Sequence, residues 1–144
     1  MPDDTPDAVT LHATSVAVAG RAVLIRGASG SGKSALALQL IALGAVLVAD
    51  DQTCLTRDGD NLMLDAPEAI RGQIEARGVG ILNTPSAGPT PAALIVDMDA
   101  SAAPRLPLDE RTSVLGVSLP LVRGSGASHF PAALHLYLKH GRRA

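Results

Sequence analysis

Aromatic side chains are nearly missing from this chain: they make up 1% of its 144 residues, one Tyr and one Phe with no Trp. Stacking of bases on aromatic platforms is closed to it, which argues against a single-stranded nucleic-acid module. A positive charge excess is missing too. Twelve Lys and Arg stand against 14 Asp and Glu, a formal net charge of -2 that supplies no broad attraction to a nucleic-acid backbone. No nucleic-acid partner is expected. Cysteine is reduced to Cys54, so no internal disulfide can form, and this thiol reads as a small core or strand residue. No apolar run approaches the ~20 residues that cross a bilayer. The first eight residues hold three aspartates and two prolines instead of a basic and then apolar leader. These absences predict a cytoplasmic protein without membrane insertion.

What fills the chain instead is aliphatic. Hydrophobic residues reach 47%, so the core must be built from Ala, Leu and Val. A chain of this length suits one domain, burying roughly 68–70% of the surface that its unfolded form exposes. Residues 1–8 read as a disordered lead-in and residues 9–144 as the domain, with no internal repeat or low-complexity tract.

The domain is organised around Gly27-Ala28-Ser29-Gly30-Ser31-Gly32-Lys33-Ser34, which satisfies the phosphate-binding pattern G-x-x-x-x-G-K-[ST] at every fixed position. Ala22-Val23-Leu24-Ile25 before it reads as a buried strand, and residues 34–43 after it as a helix closed by Gly44. The glycines let consecutive N–H groups turn inward around a phosphate, and the first helical turn adds its unpaired donors. Lys33 brings a cation to the terminal phosphates of a nucleoside triphosphate, and the Ser34 hydroxyl is placed for Mg²⁺. A merely structural turn would have no need of Lys-Ser after the last Gly. Upstream, residues 9–13 and 15–19 have strand character, and Gly20-Arg21 turns the chain into the loop's strand as an antiparallel hairpin. His12 lies in its first arm, and the residues alone assign it no role.

The run Ala45-Val46-Leu47-Val48-Ala49 reads as a second buried strand, ending on Asp50-Asp51 at the same sheet edge as the phosphate loop. Phosphoryl transfer needs a carboxylate to hold Mg²⁺ and a group to accept the proton of the attacking hydroxyl. Neighbours on a strand face opposite ways, so the two need not share a task. By analogy with a strand-terminal metal carboxylate followed by a base, Asp50 takes the metal and Asp51 the proton. The reverse order and an ordinary acidic turn are the alternatives.

A strand, a turn at Asp58-Gly59-Asp60-Asn61 and a returning strand follow over residues 52–64, and Pro67 opens a short helix through Ile70. In Ile74-Glu75-Ala76-Arg77-Gly78-Val79-Gly80-Ile81-Leu82, a charged pair beside two glycines inside an apolar segment reads as a site loop, since an exposed ion pair would add little stability. Residues 84–91 read as a loop, 93–97 as a central strand, and 100–107 as an irregular connection. Residues 114–122 read as an edge strand interrupted by Pro120, and residues 131–140 as a terminal helix with Lys139, His140, Arg142 and Arg143 at its negative end.

The phosphate loop, Val48-Ala49-Asp50-Asp51 and Glu75-x-Arg77-Gly78-x-Gly80 together resemble the catalytic domain of HPr kinase/phosphorylase, over about residues 11–82. The resemblance implies an ATP- and Mg²⁺-dependent kinase acting on a serine of the phosphocarrier HPr in the phosphotransferase system. Lys33 and Ser34 would hold phosphate and Mg²⁺, and Glu75 would be a second metal ligand. His12 matches an active-site histidine, Asp51 the acid/base residue, and Arg77 with its glycines a catalytic loop. Arg123 matches a late catalytic arginine or is a solvated surface residue. Ala35 departs from the acidic residue that often follows Lys-Ser in the family, and the chain looks like a short form without the family's separate N-terminal domain. The reverse phosphorylase reaction is not carried over with the kinase. Relatives form hexamers, which implies a homo-oligomer.

The fold expected is α/β: a single P-loop domain with a mixed central sheet, HPr kinase/PEP carboxykinase-like, with helices covering the sheet. Two rival functions are a small-molecule P-loop kinase, for which residues 84–91 supply no Arg-rich lid, and a non-catalytic ATP-binding sensor, which would have no use for an added proton acceptor.

Overall fold

The structure, a computed structural model, describes residues 7–100 and 109–143. Most of the expected lead-in and of the irregular connection after residue 100 lies outside the described residues. Nine strands form one sheet. Its main path runs in the order β1 (Ala8–Leu11), β5 (Thr53–Asp58), β6 (Asn61–Asp65), β9 (Thr90–Asp97), β3 (Arg21–Arg26), β2 (Ala13–Val18) and β4 (Val46–Ala49). The remaining two strands, β10 (Arg111–Val114) and β11 (Val117–Arg123), form a hairpin that joins through β11 to the end of β9. The pairs β3/β9 and β9/β11 are parallel and the other six are antiparallel, so the sheet is mixed and mostly antiparallel.

Period-two alternation divides the core between two faces. Val23, Ile25, Leu94, Val96 and Leu47 point to one face, where α1 (Lys33–Ala42) contributes Leu36, Ala37 and Leu40 and α2 (Phe130–His140) contributes Phe130, Leu134 and Leu138. Ala22, Leu24, Ile95 and Val48 point to the other, where Leu55, Leu62 and Leu64 of β5 and β6 and Val117 and Leu119 of β11 cover them. Helices therefore cover one face only. The second is closed by the sheet's own outer strands, which is how a chain with two α-helices among its described residues buries a central strand on both sides.

The hairpin into the phosphate loop forms as expected, with Val18 opposite Arg21 and Ala19 and Gly20 in its two-residue turn. The preceding strand does not join that hairpin; β1 pairs with β5 instead, and the chain bends at His12 between β1 and β2. Three other expectations change. The anticipated site loop at residues 74–82 is a second, two-stranded sheet of β7 (Gln73–Ala76) and β8 (Gly80–Asn83). Its Ile74 and Ala76 face inward, which fixes the strand period on either side of a three-residue turn. The expected loop of residues 84–91 ends earlier, because Thr90 and Pro91 already pair with Leu64 and Met63. Residues 114–122 are not one edge strand but the end of β10, a turn at Leu115 and Gly116 with φ of 51° and 79°, and most of β11. Pro120 lies opposite Arg111, and β11 then continues as an inner neighbour of β9.

Candidate active site

The carboxyl ends of β3 and β4 meet the start of α1 at a single sheet edge. Gly27 follows β3 with φ 154°, and a Cβ there would stand 2.7 Å from Ser31 Oγ and 3.0 Å from Met98 Cβ, so only glycine fits. Gly32, at φ 97°, caps α1 and turns the chain into the helix. Lys33 is 6% exposed; its Nζ donates to the carbonyls of Gly27 (2.8 Å) and Ala28 (3.0 Å), so the ammonium is held against its own loop.

Asp50 and Asp51 leave β4 into different surroundings. Asp50 is buried. Its Oδ1 accepts from Ser34 Oγ (2.6 Å) and Thr14 Oγ1 (3.1 Å), and its Oδ2 accepts from the Glu75 N–H (2.9 Å). Asp51 has φ 68°, a left-handed conformation that Asp tolerates better than most residues, and its side chain is 63% exposed. Its N–H donates to Thr14 Oγ1 at 3.1 Å, and its Oδ1 lies 3.3 Å from His12 Nδ1. His12 Nε2 lies 3.3 Å from Ser29 Oγ and 3.5 Å from Lys33 Nζ, so the bend between β1 and β2 carries the imidazole between base candidate and phosphate loop.

The β7–β8 hairpin forms the facing wall. Ile74 packs into the core beside α1, so its neighbour Glu75 faces outward over the site. Arg77 is exposed at the hairpin turn and has no ion-pair partner among the described residues. At the hairpin root, Arg71 donates to Asp65 Oδ1 (2.7 Å), Glu68 Oε2 (3.0 Å) and the Ala66 carbonyl (3.2 Å), while the Thr84 N–H donates to the Gly72 carbonyl (2.9 Å). The Arg71 hydrogen bond to Asp65 holds that carboxyl below its ordinary pKa, against the opposing effect of burial.

Between these walls lies a cleft of about 590 Å³ lined by Ser29, Gly30, Gly32, Lys33 and Ser34 of the loop side and by Asp51, Glu75 and Arg77, with Leu38 and Val79 as apolar lining. Of the residues singled out in the sequence, Gly27, Ala28 and Ser31 frame the loop without lining the cleft, and Asp50 lies behind Ser34. Arg123 is not brought to this cleft. It stands at the same sheet edge, in register with Asp97 and, through Asp97, Arg26, and its guanidinium is hydrogen-bonded to Glu110. Those bonds lower the Glu110 pKa and raise that of Arg123.

Two residues of the site escaped the sequence reading. Thr14 looks like an ordinary strand residue, and only the pair of buried hydroxyls Thr14 and Ser15 in an otherwise apolar strand marks it. Asp99 accepts from the Ala28 N–H with both carboxylate oxygens (3.1 and 3.0 Å), anchoring the loop's first turn from the end of β9. Nothing in Asp97-Met98-Asp99 distinguishes that role from a polar turn.

Comparison with known proteins agrees with this geometry. Residues 5–87 match the model of the HPr Serine kinase C-terminal domain. HPr kinase/phosphorylase of Alkaliphilus metalliredigens is 45% identical over 85 residues, covering 58% of this chain and 28% of the relative. That of Caldanaerobacter subterraneus is 49% identical over 76 residues (52% and 25%), and that of Nitrosomonas europaea 47% over 77 (53% and 24%). The chain thus matches about a quarter of the length of these relatives. The structure of the Hpr(Ser) kinase/phosphatase from Coxiella burnetii superimposes with a TM-score of 0.79 at 25% identity, covering 91% of this chain and 94% of that one. With more than half of its length matched by the family model and its fold shared almost end to end, the chain belongs to the HPr Serine kinase C-terminal domain family.

Proposed function

We propose that this protein is an ATP- and Mg²⁺-dependent serine kinase whose acceptor is a small HPr-like phosphocarrier of the phosphotransferase system. The observation that carries the reading is the convergence of Lys33, Ser34, Asp51, Glu75 and Arg77 on one cleft of a size suited to a nucleotide. The donors available for Mg²⁺ are hard oxygens: the Ser34 hydroxyl with Asp50 behind it, and Glu75 across the cleft. Among the described residues no three His, Cys, Asp or Glu side chains converge as a cage. That donor set suits an ion that takes the rest of its shell from phosphates and water. When bound, Mg²⁺ supplies charge neutralisation at the transferring phosphate.

The chain's own groups divide the remaining work. Loop amides and the first turn of α1 bind the phosphates, and Lys33 leaves the Gly27 and Ala28 carbonyls to meet the terminal ones. The acceptor serine Oγ forms a bond to the γ-phosphorus while the bond to the β,γ-bridging oxygen breaks, and the serine proton passes to the Asp51 carboxylate. Asp50 has both oxygens engaged and is buried, which supports Asp51 as the acceptor. His12 orients Asp51 from the side, and Arg77 supports charge on the departing phosphoryl group. Arg123, held by Glu110 away from the cleft lining, has no step in this scheme.

Among the described residues no helix is long and apolar enough to cross a membrane. We place the reaction in the cytoplasm, where ATP is made available, and a homo-oligomer, hexameric by family resemblance, is its proposed working form. Incubation with radiolabelled ATP, Mg²⁺ and HPr from the same organism tests the reading. Label on an HPr serine is expected; ATP binding by folded protein without any label on HPr overturns it in favour of a sensor or another acceptor.

A further inference from the structure

The two aspartates at the end of β4 meet at one side chain outside every motif of the sequence. Thr14 is fully buried in β2, and its hydroxyl has a single proton and two lone pairs. The proton goes to Asp50 Oδ1, 3.1 Å away, and a lone pair accepts the Asp51 N–H, also at 3.1 Å. The directions are forced, because a carboxylate only accepts and an amide only donates. One hydroxyl therefore fixes the carboxylate behind Ser34 and the backbone of the residue that faces the acceptor.

The Asp51 backbone needs such a fixture. Its φ of 68° is a conformation that L residues avoid, and strained backbone persists only where the surroundings hold it. The next backbone contact, from the Gln52 N–H to the Asp50 carbonyl at 2.7 Å, closes a tight turn around Asp51 without engaging its own amide. With the Thr14 bond removed, Asp51 is free to relax toward negative φ, and its carboxylate swings away from His12. Asp50 is differently placed, since it keeps Ser34 and the Glu75 N–H. The loss should thus fall on the proton acceptor and spare the phosphate loop.

We infer that Thr14 is a positioning residue for phosphoryl transfer: through its single hydroxyl it sets the left-handed backbone of Asp51 and couples that residue to Asp50. This rests on the kinase reading of the cleft. Thr14→Val keeps the shape of the side chain and removes the hydroxyl, and Thr14→Ser keeps the hydroxyl and removes the methyl.

Transfer of label from MgATP to HPr would be followed for the full chain and both variants, beside MgATP binding by calorimetry. In Thr14→Val the turnover number should fall by about thirtyfold, the scale on which mis-setting a proton-transfer group acts. Its dissociation constant for MgATP should stay within threefold of the parent, and Thr14→Ser should recover turnover to within about threefold. A Thr14→Val protein with turnover within twofold of the parent overturns the inference, as does a Thr14→Ser protein no better than Thr14→Val. Parallel weakening of nucleotide binding and turnover in Thr14→Val also overturns it, since the loop would then be what the hydroxyl supports. Parent protein that transfers no label overturns the kinase reading itself and this role with it. Amide exchange at Asp51 reads the contact separately: it should quicken in Thr14→Val and stay slow in Thr14→Ser, and equal rates in all three proteins overturn the contact. Where Thr14→Val proves too unstable for kinetics, Thr14→Ser carries the test: turnover more than about threefold below the parent, or exchange at Asp51 faster than in the parent, overturns the inference.

Discussion

The two walls of the cleft are built in opposite ways. On the phosphate-loop side the working groups are sunk and tied down: Lys33 and Asp50 are 6% and 7% exposed, and each has at least two hydrogen-bond partners. On the hairpin side every residue of β8 is exposed, and Val79 and Ile81 leave more than 70% of their surface in water. Only Ile74 and Ala76 anchor that wall in the core, helped by the Arg71 cluster at its root. A phosphate needs fixed donors at fixed distances, which a buried and hydrogen-bonded wall supplies. A protein acceptor must enter and leave, which a thinly held wall permits. Asp50 links the two, since the Glu75 N–H of the hairpin ends on its Oδ2.

Substitutions on each wall should therefore fail differently. Asp50→Ala is expected to have the largest effect, because it strips the partner from Ser34, Thr14 and the Glu75 amide at once. Leaving such donors unpaired should cost about 2–3 kcal/mol of stability in urea unfolding, together with label transfer below detection. An Asp50→Ala protein as stable as the parent would mean that the loop wall is not held as described. Asp51→Asn comes next. Transfer should fall by about a thousandfold as the proton acceptor is lost, while MgATP binding by calorimetry stays within threefold, since nothing on the loop touches the Asp51 carboxylate except through His12. Arg77→Ala, on the exposed wall, should lower turnover by about thirtyfold and leave the urea midpoint unchanged, having no ion pair among the described residues to lose. A large stability loss there would erase the distinction between the walls.

That distinction also separates what the sequence made legible from what it did not. The phosphate loop could be read because its constraints are local: glycines where backbone must approach, then Lys-Ser at the helix start. Asp50-Asp51 could be placed at the sheet edge from the apolar strand run before them, whereas giving the metal to one and the proton to the other is a proposal, supported by the burial of Asp50 and the exposure of Asp51. The hairpin was misread as a loop because its two glycines and two charges outweigh the Ile74/Ala76 alternation in a strand of only four residues. Thr14, Asp99 and Glu110 were invisible for a different reason. Each acts through a contact made by tertiary packing: β2 laid beside β4, the end of β9 laid against the loop, β10's lead-in against β11. The fold class followed from the order of strands and helices, whereas the curl that lets outer strands cover the second face depends on where β5, β6 and β11 pair, which no local pattern states.

The smallest expected effect lies at the hairpin root. Arg71→Ala removes the bonds to Asp65, Glu68 and the Ala66 carbonyl but touches no group that lines the cleft. Arg71 and Asp65 are partly exposed and Glu68 largely so, so water and salt moderate the loss, and global stability should change little. The local consequence is sharper: hydrogen exchange along β7 and β8 should quicken severalfold, with the amides of α1 unaffected. The pH dependence fixes the cause. The Asp65 pKa is lowered in the folded protein, chiefly by the Arg71 hydrogen bond, so the stabilisation is complete above the unfolded carboxyl's value and is lost as pH falls through the lower folded value. Urea midpoints of the parent and Arg71→Ala should accordingly differ slightly at neutral pH and converge as the solution is made acidic below the ordinary carboxyl range. A gap that persists in acid would assign the root's stability to the Arg71 bond with the Ala66 carbonyl, which no proton can break, and the hairpin wall would then be tied by backbone contacts much as the loop wall is.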